Sequence, residues 1–228
     1  MWAVAGMKQN NQDHHKQESE TFNDKKVIVI TGSIGTGKSA AVDILKKMGF
    51  NVLDSDKIVH EGYNKGTELY NKVVDLFGHT ILNEDGTINR SVLGSIVFND
   101  TQRLETLNDM VHAFVREELA KGVESSNDEV IFLDIPLIFE SIARNESYSI
   151  KFDEIWLVSV SEETQRNRLE KRALKEGKNP EDVLKIISKQ IPIKKKISMA
   201  DEIIDNEGTL QELEENIKKL LKLKDIRW

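Results

Sequence analysis

Residues 27–39 read Val-Ile-Val-Ile-Thr-Gly-Ser-Ile-Gly-Thr-Gly-Lys-Ser, and no other stretch restricts the fold so severely. Val27 to Ile30 is an uninterrupted β-branched apolar run, the pattern of a short strand buried on both faces. Gly32, Gly37, Lys38 and Ser39 then fill G-x-x-x-x-G-K-[ST], the phosphate-binding loop, with Gly35 and Thr36 inside it. The glycines let backbone N–H groups turn inward and approach a polyphosphate closely. The amphipathic stretch Ala40 to Met48 predicts a helix whose positive end points at the same anion. Lys38 can then reach the β- and γ-phosphates, and the Ser39 hydroxyl can take one position on Mg²⁺. Glycine-rich loops also join strands to helices with no ligand present. Here the strand before and the helix after supply the context that the motif needs, and nucleoside triphosphate binding is expected.

The chain of 228 residues is long enough for one large domain, or a domain with a sizeable insertion. A net charge of −7 argues against broad electrostatic binding to nucleic acid or to an anionic membrane. Cysteine is absent, which excludes disulfides, thiolate metal sites and cysteine nucleophiles and fits a reducing, cytoplasmic setting. No apolar run approaches the length needed to span a bilayer. Residues 1–24 are polar and follow neither a helical nor a strand period, so a disordered tail is expected there. His14 and His15 in that tail read as solvated side chains.

After the first helix, Gly49 ends the pattern and Asn51 to Leu53 predicts a second strand leading into Asp54-Ser55-Asp56. In an open parallel sheet ligands sit beyond the carboxyl ends of the strands, which puts both carboxylates near the γ-phosphate. One is expected to cap the following helix. The other is the candidate to orient an acceptor hydroxyl and take its proton. Residues 57–123 are mostly helical by period, with a turn at Asn83 to Gly86 and helices from Arg90 to Phe98 and Thr101 to Lys121. A crossover needs only about a dozen residues, so this length predicts a helical insertion that builds the second substrate's site. Tyr63, Tyr70 and Phe77 read mainly as its core.

A strand from Val130 to Asp134 places an acid where phosphate-loop proteins hold Mg²⁺, usually through water. Pro136 stops that strand, and a plain helix-surface position is one reading of Glu140. A buried strand follows at Glu154 to Val160. Helices Ser161 to Leu174 and Glu181 to Gln190, split by a Gly/Pro break at 175–180, carry many charges and suggest a lid over the triphosphate. Ile203-Ile204 predicts the last strand, and Thr209 to Leu223 a closing amphipathic helix.

These blocks, in this order, resemble the dephospho-coenzyme A kinase family from about Val27 to Leu223. The phosphate loop and the strand-end D-x-D are shared with other kinases. More specific are Asp134-Ile135-Pro136-Leu137-Ile138-Phe139-Glu140 and Ala200-Asp201-Glu202-Ile203-Ile204-Asp205-Asn206, supported by Asp85 to Arg90, Val97-Phe98, Leu107-Asn108 with His112, Gln165 with Arg168, Leu169 and Arg172, and Gln190. The resemblance implies an α/β phosphate-loop NTPase fold: a parallel five-stranded sheet flanked by helices, with a helical substrate insertion and a helical lid. The core would comprise 25–56, 124–165 and 201–228, the acceptor-binding insertion 57–123 and the lid 166–200. It implies transfer of the γ-phosphoryl group of ATP, with Mg²⁺, to the ribose 3′-hydroxyl of dephospho-coenzyme A. By position Asp56 would be the general base, with Lys38 and Arg168 stabilising the transferring group. Gly35, Thr36, Gly37, Lys38, Ser39, Ala40 and Arg172 would bind ATP; Asp54, Arg90 and His112 would serve the acceptor. Ser39 and, through water, Asp134 would hold the metal. Three positions depart from the usual family pattern. Ala113 stands for a proline, Ala40 for a threonine, and Lys185 for an arginine whose bidentate phosphate contact lysine cannot copy. The expected protein is a monomer or weak homo-oligomer with no nucleic-acid or membrane partner. Two other readings fit the loop alone: a shikimate- or gluconate-type kinase, and a nucleotide-dependent switch with no acceptor.

Overall fold

The computed structural model describes residues 25–144, 151–188 and 190–228, so the tail expected at 1–24 lies outside the described residues. Five parallel strands form one sheet in the order β2-β3-β1-β4-β5. They are β1 (Lys26–Gly32), β2 (Asn51–Asp54), β3 (Val130–Asp134), β4 (Glu154–Ser159) and β5 (Glu202–Asp205). The strands are apolar on both faces because both are covered. Ile28, Ile30, Phe132, Trp156 and Val158 pack against α1 (Lys38–Lys47) and α10 (Leu210–Leu223), which contribute Leu45, Ile217 and Leu221. Val27, Val29, Ile131, Leu133, Ile155 and Leu157 face the other way, against Leu119 and Val123 of α5 (Thr101–Ser125), Ile138 and Phe139 of α6 (Ile138–Ala143), and Ile193.

Between β2 and α5 the chain forms α2 (Ser55–Gly62), α3 (Glu68–Phe77), a 3₁₀ turn (His79–Ile81) and α4 (Arg90–Phe98). A separate apolar cluster ties them together: Leu69, Tyr70, Val73, Phe77, Ile81, Ile88, Leu93, Val97 and Leu107. The turn predicted at Asn83 to Gly86 is present, with Gly86 at φ 80° and a bridge between Leu82 and Ile88 closing it. The remaining helices are α7 (Glu162–Lys175), α8 (Pro180–Ser188) and α9 (Ile193–Ile197).

The differences from sequence expectation have local causes. Helix α8 begins at Pro180 itself, because proline suits the first helical position, where its missing N–H has no intrahelical role. Helix α5 runs four residues past Lys121 to Ser125 because Val123 is wholly buried against the sheet. Helix α9 went unseen, since Ile193-Lys194-Lys195-Lys196-Ile197 is too short to show a period.

Candidate active site

The carboxyl ends of β2, β3 and β1 converge on one point. In register, Ile30 faces Asp134 and Asp134 faces Asp54. The phosphate loop leaves β1 here, with Gly35 and Gly37 at φ 83° and 85°, conformations that a side chain opposes. Gly37 is also the N-cap of α1 and offers no side chain to cap it, so the first-turn N–H groups face outward for an anion. Ala40 and Ala41 donate to the Gly37 carbonyl at 3.0 and 3.3 Å and start the helix. Ser39 is exposed in its first turn.

Lys38 Nζ is in direct contact with Asp134 Oδ1, forming a short ion pair. Asp134 is only 4% exposed, and burial pushes its carboxyl up. The Lys38 hydrogen bond and charge oppose that rise, while the charges of Asp54 and Asp56 add to it. Ser39 and Asp134 offer oxygen ligands of the kind that suit Mg²⁺, a cation that usually keeps several waters and takes substrate phosphates as its other ligands.

The two acids after β2 divide their work. Asp54 caps α2, its Oδ1 accepting from Lys57 N at 3.0 Å. Between them, buried Ser55 donates to the Asp134 carbonyl at 2.9 Å and fixes the helix start to the end of β3. Asp56 is thereby turned into a cleft with a cavity volume of about 380 Å³, whose other walls include His112 and Arg116 of α5, Pro136, Leu137 and Gln190. Arg90 is not among the residues lining that cleft. Its guanidinium lies 3.1 Å from His60 Nδ1 and 5.2 Å over the Tyr63 ring. His60 follows Asp56 by four residues, so Arg90 docks one helical turn further along α2.

On the far side of the loop, Arg168 Nη2 donates to the Asn206 carbonyl at 2.8 Å. Asn206 Nδ2 in turn donates to the Thr36 carbonyl at 2.8 Å, within the loop itself. Arg172 Nε donates to Glu176 Oε1 at 2.7 Å, with its side chain 67% exposed at the end of α7. The i,i+4 spacing favours that pairing. Lys185 likewise pairs with Asp182 at the surface.

Several side chains around the loop carried no assigned role in the sequence reading. Gln165 Nε2 donates to the Ile34 carbonyl at 2.7 Å, and Gln190 Oε1 accepts from Ile34 N at 3.2 Å. Glu140 is not a surface residue: its side chain is 12% exposed and pairs with wholly buried Lys196 at 2.8 Å. Gln165, Gln190, Glu140 and Asn206 all stand in the blocks that carried the family resemblance. Their partners lie far away in sequence, which is why no local pattern revealed what they do.

A parallel sheet with a phosphate loop at one strand end, a paired lysine and aspartate, and an acid facing an adjoining cleft define a phosphate-loop kinase. The sequence profile of the dephospho-CoA kinase family matches residues 26–212. Dephospho-CoA kinase of Carboxydothermus hydrogenoformans is 39% identical over 198 residues, covering 86% of this chain and 92% of that protein. The enzyme of Staphylococcus epidermidis is 38% identical over 198 residues, covering 86% and 94%. Among solved structures, TT1252 from Thermus thermophilus superimposes with a TM-score of 0.70 at 29% identity, covering 87% of this chain and 97% of that one. The chain belongs to the dephospho-CoA kinase family.

Proposed function

We propose that this chain transfers the γ-phosphoryl group of ATP to the ribose 3′-hydroxyl of dephospho-coenzyme A, the last step of coenzyme A synthesis. The observation that carries the reading is the position of Asp56. It faces a cleft that shares Gln190 with the phosphate loop, and Ser55 beside it is bonded to the strand that ends in Asp134. An acceptor in that cleft and a triphosphate on the loop would meet at Asp56.

In the reaction Asp56 orients the acceptor hydroxyl and takes its proton as the oxygen attacks the γ-phosphorus. The bond from that phosphorus to the bridging oxygen breaks, and ADP leaves. Lys38 moves from Asp134 to the phosphate oxygens, and Arg168 adds a second cation to the charge that develops on the transferring group. Ser39 and Asp134 would hold Mg²⁺, which supplies neutralisation of the β- and γ-phosphate oxygens. His112 in the cleft wall is assigned to the acceptor; Asp54 supports Asp56 by capping its helix. Residues 57–123 form the acceptor-binding insertion on a small core of their own, residues 166–200 the lid, and residues 25–56, 124–165 and 201–228 the nucleotide-binding core. The enzyme is assigned to the cytoplasm; no described helix is long and apolar enough to cross a membrane.

The test is ADP release with Mg²⁺ and ATP while dephospho-coenzyme A, shikimate, gluconate and AMP are offered in turn, with product masses recorded. Turnover with dephospho-coenzyme A alone, giving coenzyme A, is expected. Equal or better turnover with another acceptor would overturn the assignment.

A further inference from the structure

Ile34, within the phosphate loop, is held from both sides of its residue. Its carbonyl accepts from Gln165 of α7 and its N–H donates to Gln190, which also lines the cleft. Gln190 therefore touches the triphosphate loop and the cleft at once. One residue on, Ile191 N donates to Glu140 Oε1 at 3.1 Å, and that same oxygen lies 2.8 Å from Lys196 Nζ. The pair closes a strap, since α9 returns the chain from Gln190 to Lys196 against the sheet, with Ile193 buried beneath it.

As a source of stability this ion pair is poor. Both charges are withdrawn from water, Lys196 Nζ makes no aligned hydrogen bond, and Glu140 Oε2 has no partner among the described residues. Replacing such a pair with apolar groups is commonly neutral or stabilising. What the pair does hold is the backbone at Ile191, next to Gln190. Attack on the γ-phosphorus needs acceptor and donor aligned together, and a misplacement of about 1 Å can cost roughly a hundredfold in rate.

We propose that Gln190 is a positioning residue that registers the phosphate loop against the acceptor cleft, and that the buried Glu140–Lys196 pair sets the backbone on which it rides. The inference rests on the cleft being the acceptor site. Neither Glu140 nor Lys196 touches substrate in this scheme; both act through Gln190.

The experiment compares two double variants in the full chain by thermal unfolding, kcat, and KM for ATP and dephospho-coenzyme A. Glu140→Leu with Lys196→Met removes both charges and the acceptor for Ile191 N–H. Glu140→Gln with Lys196→Met removes both charges but keeps an oxygen acceptor. The first is expected to unfold near the parent temperature, because removing two buried charges offsets the orphaned Ile191 N–H, while kcat falls about tenfold or more, within the range that misplacement produces. The second is expected to recover to within about threefold of the parent, since its amide oxygen still accepts from Ile191. Gln190→Ala, which leaves the buried pair in place, is expected to show the same loss and to add little to the first double variant, because residues acting through one link are non-additive. Full kcat in the Leu/Met variant, equal loss in both double variants, or multiplicative loss with Gln190→Ala would each overturn the proposal. Arg116→Ala, measured alongside, separates the two layers. A raised KM for dephospho-coenzyme A secures the cleft, so that failure of the Glu140 variants then falls on the strap alone. An unchanged KM overturns the cleft assignment and the proposal with it.

Discussion

Gly37→Ala isolates what the phosphate loop demands of its backbone. Gly37 sits at φ 85°, and a Cβ there would run into Asn206 Nδ2, well inside the 3.0 Å that real Cβ atoms keep. Gly49 has a similar φ of 94°, but a Cβ there meets nothing within 4 Å. Both substitutions carry the left-handed strain of alanine, about 1–2 kcal/mol. Only Gly37→Ala also displaces the buried Asn206 amide from the Thr36 carbonyl, worth about 1–3 kcal/mol when a buried group loses its partner. The totals are then about 2–5 kcal/mol against about 1–2. If the loop stays put, the difference appears as lost stability. If the loop relaxes, ATP binding must restore it, and each ~1.4 kcal/mol is tenfold in affinity. Thermal or urea unfolding together with calorimetric titration of ATP measures both parts. Gly37→Ala is expected to lose at least about 1 kcal/mol more than Gly49→Ala in the sum, with Gly49→Ala binding ATP normally. Equal sums, with ATP affinity unchanged in both variants, would refute the reasoning.

Arg168→Ala is expected to lower kcat by about a hundredfold or more, the scale for losing one stabilising donor, whereas Arg172→Ala stays within about threefold because its partner is a surface glutamate. Steady-state kinetics on the two variants checks this. Acid should destabilise the start of the interior strand β4, where Glu154 meets Lys26, Lys224 and Trp156. Burial alone would raise the Glu154 pKa, but the hydrogen bonds from Trp156, Lys26 and Lys224 outweigh it and hold the carboxyl below its usual 4.5. A carboxylate held low in the folded state contributes stability above about pH 4.5 and loses it as pH falls through the folded value. Unfolding temperatures from pH 7 to 3 should therefore drop less steeply for Glu154→Gln than for the parent.

What could be read in the chain beforehand was whatever short-range chemistry dictates. The β-branched run before the loop, the glycines inside it and the strand-end acids are local patterns, and the sheet, the loop and the Asp54–Asp56 pair follow from them. That one of the two acids would cap was legible from position. The family resemblance put the base at Asp56; which of the two acids caps was decided by the three-dimensional helix start, where Asp54 accepts from Lys57 N. The amides of Gln165, Gln190 and Asn206 are the opposite case. Each stabilises the loop through a partner 131 to 170 residues away, a distance over which no periodicity carries information. Lys196 ends a run of three lysines with no apolar pattern to mark it, yet it is wholly buried because short α9 lies against the sheet and pairs it with Glu140.

The meeting of donor and acceptor at Asp56 is tested most directly by Asp56→Asn in a single-turnover experiment with excess enzyme, ATP, Mg²⁺ and dephospho-coenzyme A, after the binding of each substrate is measured separately. Asparagine keeps the shape and removes the proton acceptor. Binding of both substrates within about twofold of the parent, with phosphoryl transfer slowed at least about a hundredfold, is the expected result for loss of a general base. Phosphoryl transfer at near the parent rate would contradict it and leave the cleft without a catalytic group at Asp56.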